Sequence, residues 1–257
     1  MFDAPRILTV AHLTFRSAFQ GLRTVALGLL AAFPAVVVAA IAVLGQSAST
    51  TENTAQGLFL SLTLRVVVGL VVLVVAVGAF RTDIEQDTLT YLSTRSVVRP
   101  DIVIGKYLGS VGASLVFLVP AGIGPLLVAG LAGAPPPATA VSATILAVVV
   151  LASLAWGGFY LFLGLVSRNA LILGLIYLFL WEELALLLPG DFPKLTLLYY
   201  LLSFSNDAVS TGPLSGSTTS VPLAQTVLPP LVVAVFFVGL TAALLRYVET
   251  APQRTAA

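Results

Sequence analysis

Cysteine is absent, histidine occurs once, and charge is scarce. Without cysteine there is no disulfide, no thiolate nucleophile and no Cys-ligated metal. The single histidine, His12, cannot build a histidine-rich metal site. Charged residues number 12 Lys+Arg and 11 Asp+Glu, or 9% of the chain, against about 25% in an ordinary soluble domain. The formal net charge of +1 provides no basic surface for nucleic acid. Hydrophobic residues make up 58% of the 257, and the mean hydropathy is +1.06. A soluble protein of this size cannot bury that much apolar side chain. The composition excludes a soluble enzyme, a disordered chain and a nucleic-acid binder. It leaves an all-α polytopic membrane protein.

Six segments are apolar over the roughly 20 residues that a helix needs to cross a bilayer. They cover residues 24–44, 58–80, 107–131, 138–166, 171–188 and 226–247. A β-barrel fits poorly, because its strands alternate apolar with polar and the run 66–77 is apolar throughout. The first segment is too long for a cleavable signal peptide, and 23 residues precede it. No composition break divides the chain, so residues 1–257 read as one transmembrane domain.

The basic residues set the orientation. With both termini cytoplasmic, Arg6, Arg16, Arg23, Arg81, Arg95, Arg99, Lys106, Arg168, Arg246 and Arg254 lie inside. Lys194 alone lies outside, while Glu52, Glu182, Glu183, Asp191 and Asp207 populate the outer side. The expected location is the cytoplasmic membrane.

Residues 5–23 precede the first span and read as an amphipathic helix in the cytoplasmic interface. Leu8, Ala11, Phe15, Ala18, Phe19 and Leu22 share one face; Thr9, Arg16, Gln20 and Arg23 share the other. Val10 and Leu13 fall off the stripe. The polar run 81–106 is the other distinctive cytoplasmic segment. It holds Arg81, Asp83, Glu85, Asp87, Arg95, Arg99, Asp101 and Lys106. Acids come first and bases last, as a helix dipole favours. Leu89 and Leu92 give this short helix an apolar edge. Pro100 stops it, and Asp101 is placed to cap the next one.

The ordered set Glu85, Thr88-Leu89, Leu92, Arg95, Val97, Arg99, Ile102 and Gly105-Lys106-Tyr107-Leu108 resembles the signature of ABC-2 type permeases, the membrane subunits of a large class of ABC transporters. Asp87 stands where that family usually has glycine, and Ser96 where it usually has proline. Six spans, an amphipathic N-terminus and a polar segment before the last span are similar too, so the likeness runs over nearly the whole chain. It implies a type V exporter-like fold. The helix between spans 2 and 3 would be a coupling helix seated on a separate ATPase, with Glu85, Asp87, Thr88, Leu89, Leu92, Arg95 and Arg99 as its contact set. Two ATPase copies would drive a permease homodimer or pseudo-dimer. ATP and Mg2+ would be held by the ATPase. This chain has no Gly-x-x-x-x-Gly-Lys-Ser/Thr loop to cradle phosphates, so it is not expected to be an enzyme.

Arg65 lies about 12 Å inside the second span, at 1.5 Å per residue, and an intramembrane arginine is a functional candidate. It either snorkels outward, pairs with Glu182 or Glu183, or touches substrate. Arg65, Glu182 and Glu183 are the candidates for a substrate path. Residues 184–188 and 192–204 are too apolar for a free loop and read as short outer re-entrant helices. Prolines 34, 120, 125, 229 and 230 fall inside spans, and Gly122, Gly124, Gly157 and Gly158 permit close helix approach. Two other classes compete with a permease: an intramembrane enzyme and a non-transporting scaffold. The enzyme reading lacks His-Glu-x-x-His and Gly-x-Gly-Asp motifs.

Overall fold

The computed structural model describes residues 4–45, 47–85, 99–134, 139–208 and 223–248. Every regular element among them is helical. Six helices are long and apolar enough to cross a membrane, which makes this a multi-pass membrane protein. Span 1 is Leu22–Val43. Span 2 runs without a break from Ala48–Leu58 through a π-helical stretch, Phe59–Val68, into Gly69–Glu85. Span 3 is Arg99–Leu131 and span 4 is Thr139–Val166. Span 5 joins Ala170–Ile176, a second π-helical stretch Tyr177–Glu182, and Glu183–Leu187. Span 6 is Leu223–Val248.

Two spans start well before their apolar segments. Span 2 begins about ten residues early because Ser47 caps it, its hydroxyl accepting from the Thr50 amide at 3.3 Å. Span 3 begins at Arg99 rather than at 107. Pro100 sits in the first turn of span 3, where its missing N–H costs nothing; the helix expected before it lies outside the described residues. Asp101 is also inside that turn, fully buried, and its carboxylate accepts no hydrogen bond. It therefore supplies favourable dipole charge without acting as a side-chain cap.

Spans 2 and 4 form the interior. Two-thirds of the apolar window of span 4 is buried, against 22%, 28% and 17% for spans 1, 5 and 6, so the last three line the perimeter. Trp156 and Tyr160 of span 4 are completely covered. Glycine sets how closely the spans approach. A Cβ at Gly158 would lie 2.9 Å from the Ala234 carbonyl oxygen of span 6, and one at Gly164 would lie 3.0 Å from that of Val77 in span 2. A Cβ at Gly122 would meet Ile145 of span 4 at 2.9 Å. The close approach expected of Gly122 and Gly158 is thus present. The prolines sit inside continuous helices.

The N-terminal helix, Ala4–Ala18, packs along the first half of span 3. Gly21, at φ 79°, then turns the chain into span 1. The end of the bundle that carries this helix is the base. Ala11, Phe15, Ala18 and Phe19 of the expected face are packed, but its two ends are not. Leu8 and Leu22 are exposed, at 66% and 84%. Val10 and Thr14 join Ala11 and Phe15 on the inward side, over Gly105, Gly109 and Gly112 of span 3. Phe19 continues the contact by stacking on Phe117 at 5.2 Å. The reason is steric. A glycine groove admits backbone and short side chains, so Val10, which looked out of place on an isolated wheel, fits over Gly105.

Candidate functional site

The charged cluster at the far end is built by the two π-helical stretches. A π turn holds more residues than an α turn. Residues five apart, about 140° out of phase in an α-helix, therefore come onto one face. Tyr177 and Glu182 are related in this way, and the Tyr177 hydroxyl donates to Glu182 Oε1 at 2.6 Å. Glu182 has no exposed surface. Its Oε1 also accepts from Trp156 Nε1 of span 4 at 3.3 Å and from the Leu197 amide at 3.4 Å. Its Oε2 accepts from the Leu198 amide at 3.0 Å.

Leu197 and Leu198 open the helix Leu197–Ala208, which lies between spans 5 and 6. The first amides of a helix have no partner within it. Glu182 satisfies two of them from a distance, as a carboxylate beside the positive end of the helix dipole. Thr196 satisfies the next: its hydroxyl accepts from the Tyr199 amide at 3.2 Å and donates to the Pro193 carbonyl at 2.7 Å. Glu182 thus ties span 4, span 5 and this helix together. The short 3-10 turn Phe192–Leu195 precedes it. There Lys194 bonds Asp191 at 2.5 Å in open solvent. That hydrogen bond and the lysine charge hold the Asp191 carboxyl below the usual aspartate range and the Lys194 ammonium above its own.

Glu183 has a different partner. Arg65 Nη1, on the π stretch of span 2, donates to Glu183 Oε2 at 2.8 Å. Of the options open for Arg65, the structure has pairing with Glu183. The two side chains remain about a third exposed, at 37% and 32%, so both ions keep faces free for a ligand. The helices beneath them interlock, Leu178 against Gly69 and Leu73 against Gly174. Among the described residues no three His, Cys, Asp or Glu side chains converge as a metal site would require.

This pair, about a third exposed, should show a favourable coupling on the order of 1 kcal/mol. A double-mutant cycle on thermal unfolding with Arg65→Met and Glu183→Gln measures it. Strict additivity of the two single changes would show that the contact carries no energy.

The base holds the other expected cluster. Glu85 is the last residue of span 2 and Arg99 the first of span 3. Asp87, Thr88, Leu89, Leu92 and Arg95 lie outside the described residues. Sequence reasoning missed how Gly105-Lys106-Tyr107 works in packing. Gly105 receives Val10. The buried Lys106 ammonium donates to the Ala79 carbonyl of span 2 and lies 4.8 Å from the centre of the Phe80 ring. The Tyr107 hydroxyl donates to the Leu154 carbonyl of span 4 at 2.9 Å. Three neighbouring residues thus fix three helices to the start of span 3. The readable signal was the spacing of Gly105, Gly109 and Gly112, four and three apart on one helix face. No protein-family model and no curated protein matches this chain.

Proposed function

We propose that this chain is the membrane-spanning permease subunit of an ABC-2 type ABC transporter. It moves its substrate across the cytoplasmic membrane with energy from ATP hydrolysed by a separate subunit. One observation carries the reading. The ordered run from Glu85 to Leu108 lies where spans 2 and 3 meet, with Glu85 closing one helix and Arg99 opening the next. On this reading the base is the cytoplasmic side, where residues 86–98 contact the ATPase.

The packing around the run supplies a route for force. A push on the start of span 3 reaches span 2 through Lys106, span 4 through Tyr107 and the N-terminal helix through Gly105. The exposed apolar faces of spans 1 and 5 leave room for a second permease copy as well as lipid. Arg65 and Glu183 are the substrate-path candidates with exposed surface, and Glu182 supports them from inside.

The test is a search for a P-loop ATPase reading frame beside this gene, followed by co-purification of its product with this chain. Glu85→Lys together with Arg99→Glu should cut recovery of the complex by about tenfold, the loss of roughly 1.4 kcal/mol at the interface. Undiminished recovery would overturn the coupling assignment.

A further inference from the structure

The elbow between the N-terminal helix and span 1 encloses a cavity of about 30 Å3, lined by Thr14, Ser17, Arg23, Leu27, Val74 and Gly78 among others. Its chemistry is graded. Leu27 and Val74 form an apolar floor, while Thr14, Ser17 and Arg23 make a polar rim. Thr14 is only 8% exposed, and its hydroxyl has no partner among the described residues. The Ser17 hydroxyl donates back to its own helix, to the Thr14 carbonyl at 2.8 Å. Arg23 is exposed and forms no ion pair among the described residues. Gly78 lets the guanidinium lie across span 2, since a Cβ there would stand 3.4 Å from Arg23 Nη1 and touch nothing else.

The N-terminal helix and span 1 carry charge of one sign. Residues 4–51 contain Arg6, Arg16 and Arg23 and no Asp or Glu, and among the described residues no acid lines the cavity. Span 1 starts without a side-chain cap, so its first amides add positive potential nearby. Arg23 is the second residue of the first apolar span, which puts it at headgroup depth in a bilayer. Leu8 and Leu13 of the adjoining helix are exposed apolar residues, suited to acyl chains. The volume holds about two waters, enough for phosphate oxygens to enter while the rest of the molecule stays outside.

We propose that this elbow binds the phosphate group of an anionic phospholipid. Arg23 supplies charge-assisted donors, the Thr14 hydroxyl supplies a neutral one, and the acyl chains lie beside the N-terminal helix. This inference stands apart from the transporter reading, because it needs only a helix elbow at a bilayer surface.

The test measures lipid retained by the purified full chain after incubation with vesicles of equal parts phosphatidylglycerol and phosphatidylcholine, read by native mass spectrometry. The wild-type chain should retain phosphatidylglycerol in preference. Arg23→Gln should lower that retention about tenfold, the loss expected for hydrogen bonds to a charged group. Gly78→Val, which fills the cavity without changing charge, should do the same. Arg16→Gln removes an equal charge from a residue that does not line the cavity, and should retain lipid normally. Equal retention of both lipids, or equal losses from Arg16→Gln and Arg23→Gln, would overturn the proposal in favour of diffuse surface attraction. Displacement of the lipid by excess inorganic phosphate would assign the site to free phosphate and overturn the lipid assignment. Recovery of retention in Arg23→Lys would show that the losses are not failures to fold.

Discussion

Glu182→Leu should be the most destabilising single change at the far end, costing on the order of 3 kcal/mol or more in thermal unfolding of the purified protein. Leucine is close in volume to glutamate, so the loss does not come from a cavity. It comes from four donors left without an acceptor: Tyr177 Oη, Trp156 Nε1 and the amides of Leu197 and Leu198. A buried donor stripped of its partner costs about 1–3 kcal/mol. Within one network these costs do not add fully, and water entering near Leu197 would offset part of them. Glu182→Gln keeps one acceptor oxygen but sets an amide NH2 against donors. It should fall between wild type and Glu182→Leu. Proteolysis gives a second readout, because the helix Leu197–Ala208 loses its remote cap and should be cut faster. A Glu182→Leu protein as stable and as protease-resistant as wild type would mean that the carboxylate does not hold this helix.

Gly109→Ala should release the N-terminal helix. The new Cβ would lie 2.5 Å from the Ala11 carbonyl oxygen and 2.8 Å from Thr14 Cβ. Neither atom is the end of a flexible side chain, so the helix backbone itself must move. Overpacking of this kind costs about 1–3 kcal/mol. Gly112→Ala is the control on the same face. Its Cβ meets only the edge of the Phe15 ring, at 3.7 Å, an ordinary contact. Alanine also favours helix over glycine by up to about 1 kcal/mol, so this variant should be neutral or slightly more stable. Differential scanning fluorimetry and proteolysis of residues 4–18 separate the two. Identical behaviour of the two variants would refute the glycine groove as the seat of the helix.

The six spans were legible because length and apolarity decide them, and the observed ends Leu22–Val43, Thr139–Val166 and Ala170–Leu187 lie within two residues of the expected ones. The early starts of spans 2 and 3 were not read, because a capping hydroxyl at Ser47 and a first-turn Pro100 extend helix into polar sequence. The inward face of the N-terminal helix was legible at Ala11, Phe15, Ala18 and Phe19 and not elsewhere: Leu8 and Leu22 stay exposed, while Val10 and Thr14 are packed. A wheel sorts residues by polarity, whereas a glycine groove sorts them by size.

The far-end site was legible in part. Arg65 was expected to snorkel, to touch substrate or to pair with one of two adjacent acids, and nothing local distinguishes Glu182 from Glu183. The π-helical stretch ending at Glu182 assigns them different partners. It swings Glu182 into the interior, beneath Trp156 and Tyr177, and leaves Glu183 facing Arg65.

Scarce charge, absent cysteine and six apolar runs were enough by themselves to determine a polytopic helical membrane protein, because apolar surface on that scale has nowhere to go but lipid. The seating of Val10 and Thr14 in a glycine groove, the choice of acid that pairs with Arg65 and the cavity beside Arg23 were decided only by tertiary structure. Each depends on atoms far apart in sequence meeting within a few ångströms, at distances set by glycine contacts and π turns that a pattern of hydropathy does not encode.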